Sequence, residues 1–160
     1  MDNIIFLDID GCLSSEKYFR TNLDRKGDSL FIDPEKVNLL NTLKDIPGIT
    51  IVISSSWRED ADGPLTRLGL EIPISGHTDH YYEEWLCRGN EIEKYLQTNY
   101  KGICTKYGES WRANKEIYNY VIIDDDEDML FGQKDNFIHI NSITGITKRD
   151  INKIRKILQQ

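Results

Sequence analysis

The sequence predicts an α/β fold: a largely parallel sheet with helices on both faces. Three observations carry the prediction. Short apolar, β-branched runs recur along the chain, helical patterns lie between them, and the main runs end in chemically competent polar residues. Strands that alternate with helices build parallel sheets, and such sheets gather their ligands beyond the carboxyl ends of the strands.

The segments that read as buried strands are Asn3–Leu7, Ile49–Ile53, roughly Leu70–Ile74 and Tyr118–Ile123, with a weaker one at Phe137–Ile140. The first helix is expected to start at Asp33-Pro34, with Asp as N-cap and Pro in the first turn. It carries Val37, Leu40 and Leu43 on one face and ends at Pro47-Gly48. A second helix is expected from Gly89 to about Asn99, with Ile92, Tyr95 and Leu96 together, and a third over 148–158 with Ile151, Ile154, Ile157 and Leu158. Residues 14–32 and 101–116 read as polar, turn-rich connections.

A chain of 160 residues is long enough for one sizeable core, so a single domain over 1–160 is expected. Hydrophobic content of 39% with 29% charged residues fits an ordinary globular protein, and no apolar run reaches the ~20 residues of a membrane span. The start, MDNIIFLDID, lacks the features of a signal peptide. Cys12, Cys87 and Cys104 are scattered and odd in number, which argues against a disulfide framework or a structural zinc site and for a cytoplasmic location. A net charge of −7 argues against broad, non-specific binding to nucleic acid, but not against one anionic group in a metal-neutralised pocket. No GxxxxGK[ST] loop is present, so a kinase is not expected.

The chemistry gathers at the strand ends. The first strand runs as IIFLDIDGCL into Asp8 and Asp10, the second ends in Ser54-Ser55-Ser56-Trp57-Arg58, and the fourth ends in Asp124-Asp125-Asp126. Carboxylates at a buried strand end are costly without compensation. Acids from two parallel strands meeting at one sheet edge supply the hard oxygen ligands that Mg²⁺ takes, and the serine loop could hold phosphate oxygens.

The DxDGxL block at Asp8–Leu13, the serine after the second strand and the aspartates after a later strand resemble the haloacid dehalogenase (HAD) superfamily of phosphatases. The phrases SSSWR, RGNEI and VIIDDD are similar to small HAD domains of RNA repair proteins and polynucleotide kinase-phosphatases. The resemblance implies a three-layer Rossmann-like fold with a minimal cap or none. It implies a Mg²⁺-dependent phosphomonoester hydrolase, with Asp8 as nucleophile forming an aspartyl-phosphate and Asp10 as general acid/base. Asp8, Asp10 through its backbone carbonyl, Asp124 and Asp125 would hold the metal. Ser55, or Ser54, would supply the second-motif hydroxyl, and Arg58 could add a contact to phosphate. The superfamily's third-motif lysine has no direct counterpart, which leaves Arg88 or Lys115, and Asp128 is a further acid of interest. The implied substrate is a phosphorylated one: a 3′-phosphorylated RNA or DNA end, or a nucleotide. The alternative is a phospho-accepting regulatory domain or a non-catalytic binding domain. His77 and His80 are expected to be surface residues rather than ligands. Tyr81, Tyr82 and Trp85 would stack bases only if they line the site, and Trp57, Trp85 and Trp111 read as core or pocket wall.

Overall fold

The computed structural model describes residues 1–22, 31–80, 87–100 and 118–159. Lys115, Tyr81, Tyr82, Trp85, Trp111 and the connection expected at 101–116 lie outside them. The chain forms β1 (Asp2–Leu7), α1 (Glu16–Thr21), α2 (Pro34–Asn41), β2 (Ile49–Ile53), α3 (Asp62–Arg67), β3 (Ile74–His77), α4 (Arg88–Tyr100), β4 (Tyr118–Asp124), β5 (Phe137–His139) and α5 (Lys148–Leu158). Short 3₁₀ turns lie at Arg58–Ala61 and Phe131–Asn136. The sheet has five strands in the order β3-β2-β1-β4-β5, all pairs parallel.

The alternation of β1 sorts its side chains between two cores. Ile5 and Leu7 pack with Val37 and Leu40 of α2 and with Ile151, Ile154 and Leu158 of α5. Ile4 and Phe6 pack with Ile92 and Leu96 of α4 and with Tyr118, Tyr120 and Ile122. The sheet is thus covered on both faces, which its buried central strands require.

Helix starts follow local chemistry. The Asp33 carboxylate accepts the Glu35 backbone N–H at 2.9 Å and Pro34 occupies the first turn of α2. Thr147 and Asp150 form a capping box on α5, with the Thr147 hydroxyl 2.6 Å from the Asp150 carboxylate.

Three expectations need correction. The third strand lies at Ile74–His77 and not at Leu70–Ile74, because Leu70 closes the turn after α3 through its N–H to Leu65 and Pro73 gives only its carbonyl to Ile51. Helix α2 ends at Asn41 instead of reaching Pro47-Gly48; residues 42–46 continue as turns closed by i→i+3 bonds. The connection 14–32 contains α1, which buries no residue and so leaves no apolar periodicity to read.

The register decides what stands at the site. Leu7 pairs with Ile53 on one side and Ile123 on the other. One residue further, the Asp8 N–H donates to Ile123 O at 3.0 Å and the Ser54 N–H to Leu7 O at 2.9 Å. Asp8, Ser54 and Asp124 therefore stand abreast at the carboxyl edge.

Candidate active site

Asp8 follows Ile4 and Phe6 in the alternation of β1, and Asp124 follows Ile122 in β4, so both carboxylates face the side covered by α4. Both are buried. Arg88 opens α4 on that side and places its guanidinium between them, 3.8 Å from Asp8 Oδ1 and 3.6 Å from Asp124 Oδ2. Glu91, one turn along α4, lies 3.6 Å from the same guanidinium. Glu91 is itself buried and takes a hydrogen bond from the His80 ring at 3.0 Å.

The start of α4 is fastened to the loop after β4. The Arg88 N–H donates to the Asp128 carboxylate at 3.0 Å and the Gly89 N–H to Asp128 O at 3.2 Å. Gln133 donates to Gly89 O at 2.8 Å, and a β-carbon on residue 89 would come within 2.5 Å of Leu130 N. Only glycine allows that approach.

The electrostatics are those of an acidic site short of positive charge. Burial pushes the Asp8 carboxyl up to about 8, and the charge of Asp124 adds to the rise; Arg88 and a hydrogen bond from the Ser55 hydroxyl oppose it only in part. Burial likewise lifts Asp124 to about 6, against the Asp126 backbone N–H and Arg88. Asp125 is raised above its ordinary value, again chiefly by burial. Two or three carboxyls held reluctant to ionise are what a bound cation would reverse.

The donor set fits a hard cation. Oxygens of Asp8 and Asp125 and the Cys12 Sγ lie within 4.8 Å of one another, the one such cluster among the described residues. Burial and the surrounding acids keep the Cys12 thiol protonated, so the ligand atoms of the cluster are oxygens and suit Mg²⁺. The Asp125 carboxylate occupies the space that a side chain on Gly11 would need, and Gly11 has φ +68°. Asp124 Oδ1 meanwhile accepts the Asp126 N–H at 3.0 Å.

The serine loop divides its labour. Ser55, fully buried, bonds to Asp8. Ser54 turns instead to Thr78, whose hydroxyl lies 3.5 Å from it. Arg58 does not extend toward Asp8: its guanidinium donates to Thr78 O at 2.7 Å. Its backbone sits at φ +47°, the one positive value of a non-glycine among the described residues, a conformation that costs about 1–2 kcal/mol. Asp10 is exposed, and its Oδ2 accepts the indole N–H of Trp57 at 3.0 Å.

His77 and His80 bond to Asp62 and Glu91, at 2.9 and 3.0 Å, and neither joins the carboxylate cluster. Sequence reasoning missed Glu91, Thr78 and the polar role of Trp57. Glu91 had a legible signal, a carboxylate one turn after Arg88 on the same helix face. Trp57 and Thr78 had none, since their partners lie 47 and 24 residues away.

An all-parallel sheet in the order β3-β2-β1-β4-β5, with aspartates abreast at the ends of β1 and β4, is consistent with the Rossmann-like fold of the HAD superfamily. A family model described as the HAD domain in Swiss Army Knife RNA repair proteins matches residues 4–151, and the chain belongs to that family. No curated protein and no solved structure matches the chain. Among the described residues, no helix is long and apolar enough to cross a membrane.

Proposed function

We propose that the protein is a Mg²⁺-dependent phosphomonoesterase that removes a terminal phosphate from RNA, DNA or a nucleotide. The observation that supports it most is the alignment of buried Asp8 and Asp124 around Arg88, with Asp10 two residues on in the exposed turn. Membership in a family of RNA repair domains favours a nucleic-acid end, a 3′-phosphate foremost, as the substrate.

Asp8 is the nucleophile. One of its oxygens attacks phosphorus, the bond from phosphorus to the ester oxygen breaks, and Asp10 gives its proton to the departing oxygen. Water then attacks the aspartyl-phosphate, Asp10 takes the proton, and phosphate leaves with Asp8 restored. Arg88 neutralises the transferred phosphoryl oxygens in place of the superfamily's lysine. Ser55 orients Asp8 and contacts phosphate, with Ser54 as neighbour behind it; Arg58 shapes the loop through Thr78. Asp8, Asp125, the backbone carbonyl of Asp10 and Asp124 would hold Mg²⁺. When bound, the ion offsets the repulsion between nucleophile and phosphate.

The test is hydrolysis of a 3′-phosphorylated oligonucleotide and of mononucleotides with Mg²⁺, with EDTA and Asp8→Asn as controls. Loss of activity in both controls is expected, with preference for the oligonucleotide. Activity that survives Asp8→Asn sinks the mechanism, and a preference for mononucleotides sinks the substrate assignment. A stable phosphoprotein that never turns over would favour a regulatory domain instead.

A further inference from the structure

We infer that Trp57 is a positioning residue for Asp10: its indole N–H holds one carboxylate oxygen, leaving the other to carry the transferred proton. The inference rests on the phosphatase reading above and names a device that serves it.

An exposed carboxylate in a turn has little to fix its rotamer. Asp10 is such a group, yet its Oδ2 is held at 3.0 Å by a residue 47 positions away. Trp57 in turn is fixed from three directions. Its ring packs against the large core cluster, its carbonyl accepts the Asp60 N–H at 2.9 Å, and its own N–H points to the Ser55 hydroxyl at 3.5 Å. The next residue, Arg58, takes the unusual positive φ and is braced by its guanidinium on Thr78 O. Strain of this kind persists where the surroundings over-determine it, often at functional sites. The strained residue directly follows the one whose indole meets Asp10. The loop therefore grips both carboxylates of the first strand, Asp8 through Ser55 and Asp10 through Trp57.

The chemistry follows from which oxygen is occupied. The carbonyl oxygen of a carboxylic acid accepts better than its hydroxyl oxygen, so the indole N–H on Oδ2 favours the acid form that carries its proton on Oδ1, the oxygen left to meet the leaving group. After transfer, Asp10 is a carboxylate and the same N–H stabilises it. A proton donor matters most when the leaving oxygen is strongly basic, as in an alkyl or ribose ester, and least for a nitrophenolate.

The experiment has two arms. In the first, the Trp57 indole resonance is followed by ¹H–¹⁵N NMR in wild type and Asp10→Asn, and it is expected to move; this arm needs no Trp57 variant to fold. In the second, phosphoenzyme formation by Trp57→Phe is timed with glycerol 2-phosphate and with p-nitrophenyl phosphate. The expected result is a loss of about tenfold for the alkyl ester, within about twofold for the nitrophenyl ester, with KM unchanged. Adding Trp57→Phe to Asp10→Asn should cost nothing more. An unmoved indole signal, equal losses on both esters, or a raised KM alone overturns the positioning role while leaving the phosphatase reading intact. A wild-type protein that hydrolyses neither these esters nor a 3′-phosphorylated oligonucleotide overturns that reading, and the positioning role falls with it.

Discussion

The carboxylate of Asp125 fills the space beside the α-carbon of Gly11, so the turn that follows Asp10 and the acid that follows β4 are packed backbone against side chain. Gly11 thus answers two demands at once, a φ of +68° and the absence of a β-carbon. Gly11→Ala is predicted to weaken Mg²⁺ binding by about tenfold or more, because Asp125 must move, as expected for residues that orient metal ligands. It should also lower stability by about 1 kcal/mol through the positive φ. Calorimetric titration with Mg²⁺ checks the first; unchanged affinity would refute the packing argument.

The metal-free protein should lose stability as pH rises. Asp8 at about 8 and Asp124 at about 6 both lie above their ordinary 3.8. A carboxyl whose folded value is raised stabilises the fold while protonated. That contribution is complete below pH ~3.8 and is gone once pH passes the folded value. Melting temperature in EDTA is therefore predicted to decline between about pH 4 and pH 8. Mg²⁺ should oppose the decline, and Asp8→Asn should flatten much of it. A metal-free melting curve that rises over this window would contradict the assignment.

The two serines are predicted to separate cleanly. Ser55→Ala removes the bond to Asp8 and should lower kcat by about tenfold, the scale of one charge-assisted hydrogen bond. Ser54→Ala loses only the long contact to Thr78 and should stay within about twofold. Steady-state kinetics on one ester decide the matter; the reverse order would assign the second-motif hydroxyl to Ser54.

Much of this was legible in the sequence. The strands Ile49–Ile53 and Tyr118–Asp124 are nearly continuous apolar runs because both their faces are covered, and the aspartates stand out against them. Strand β3 was misplaced because Ser75, Gly76 and His77 look like a turn. Its edge position asks for few apolar residues, and Gly76 exists to admit the Tyr95 hydroxyl, which would lie 2.5 Å from a β-carbon there. Asp8, Asp10 and Asp124 stand out by their place at or just beyond the ends of apolar strands. What Ser54, Arg58 and Trp57 each touch does not, since polar residues of one short loop differ in their partners only by which way the loop turns.

Glu91→Gln is predicted to loosen Arg88, which Glu91 approaches at 3.6 Å from within a buried setting. With one carboxylate neutralised, Arg88 should bind phosphate more readily but less well aligned. KM and kcat are both expected to fall, by about threefold to tenfold, the range of a single partly buried ion pair. Kinetics that change in KM upward would show that Glu91 has another role.

On the proposed reading, the guanidinium of Arg88, set among Asp8, Asp124 and Glu91, has a consequence for product release. Departing phosphate would compete for that cation with acids already held beside it, whose local concentration far exceeds that of a dissolved ion. The site would thus carry its own eluent, and phosphate in solution would inhibit it only weakly.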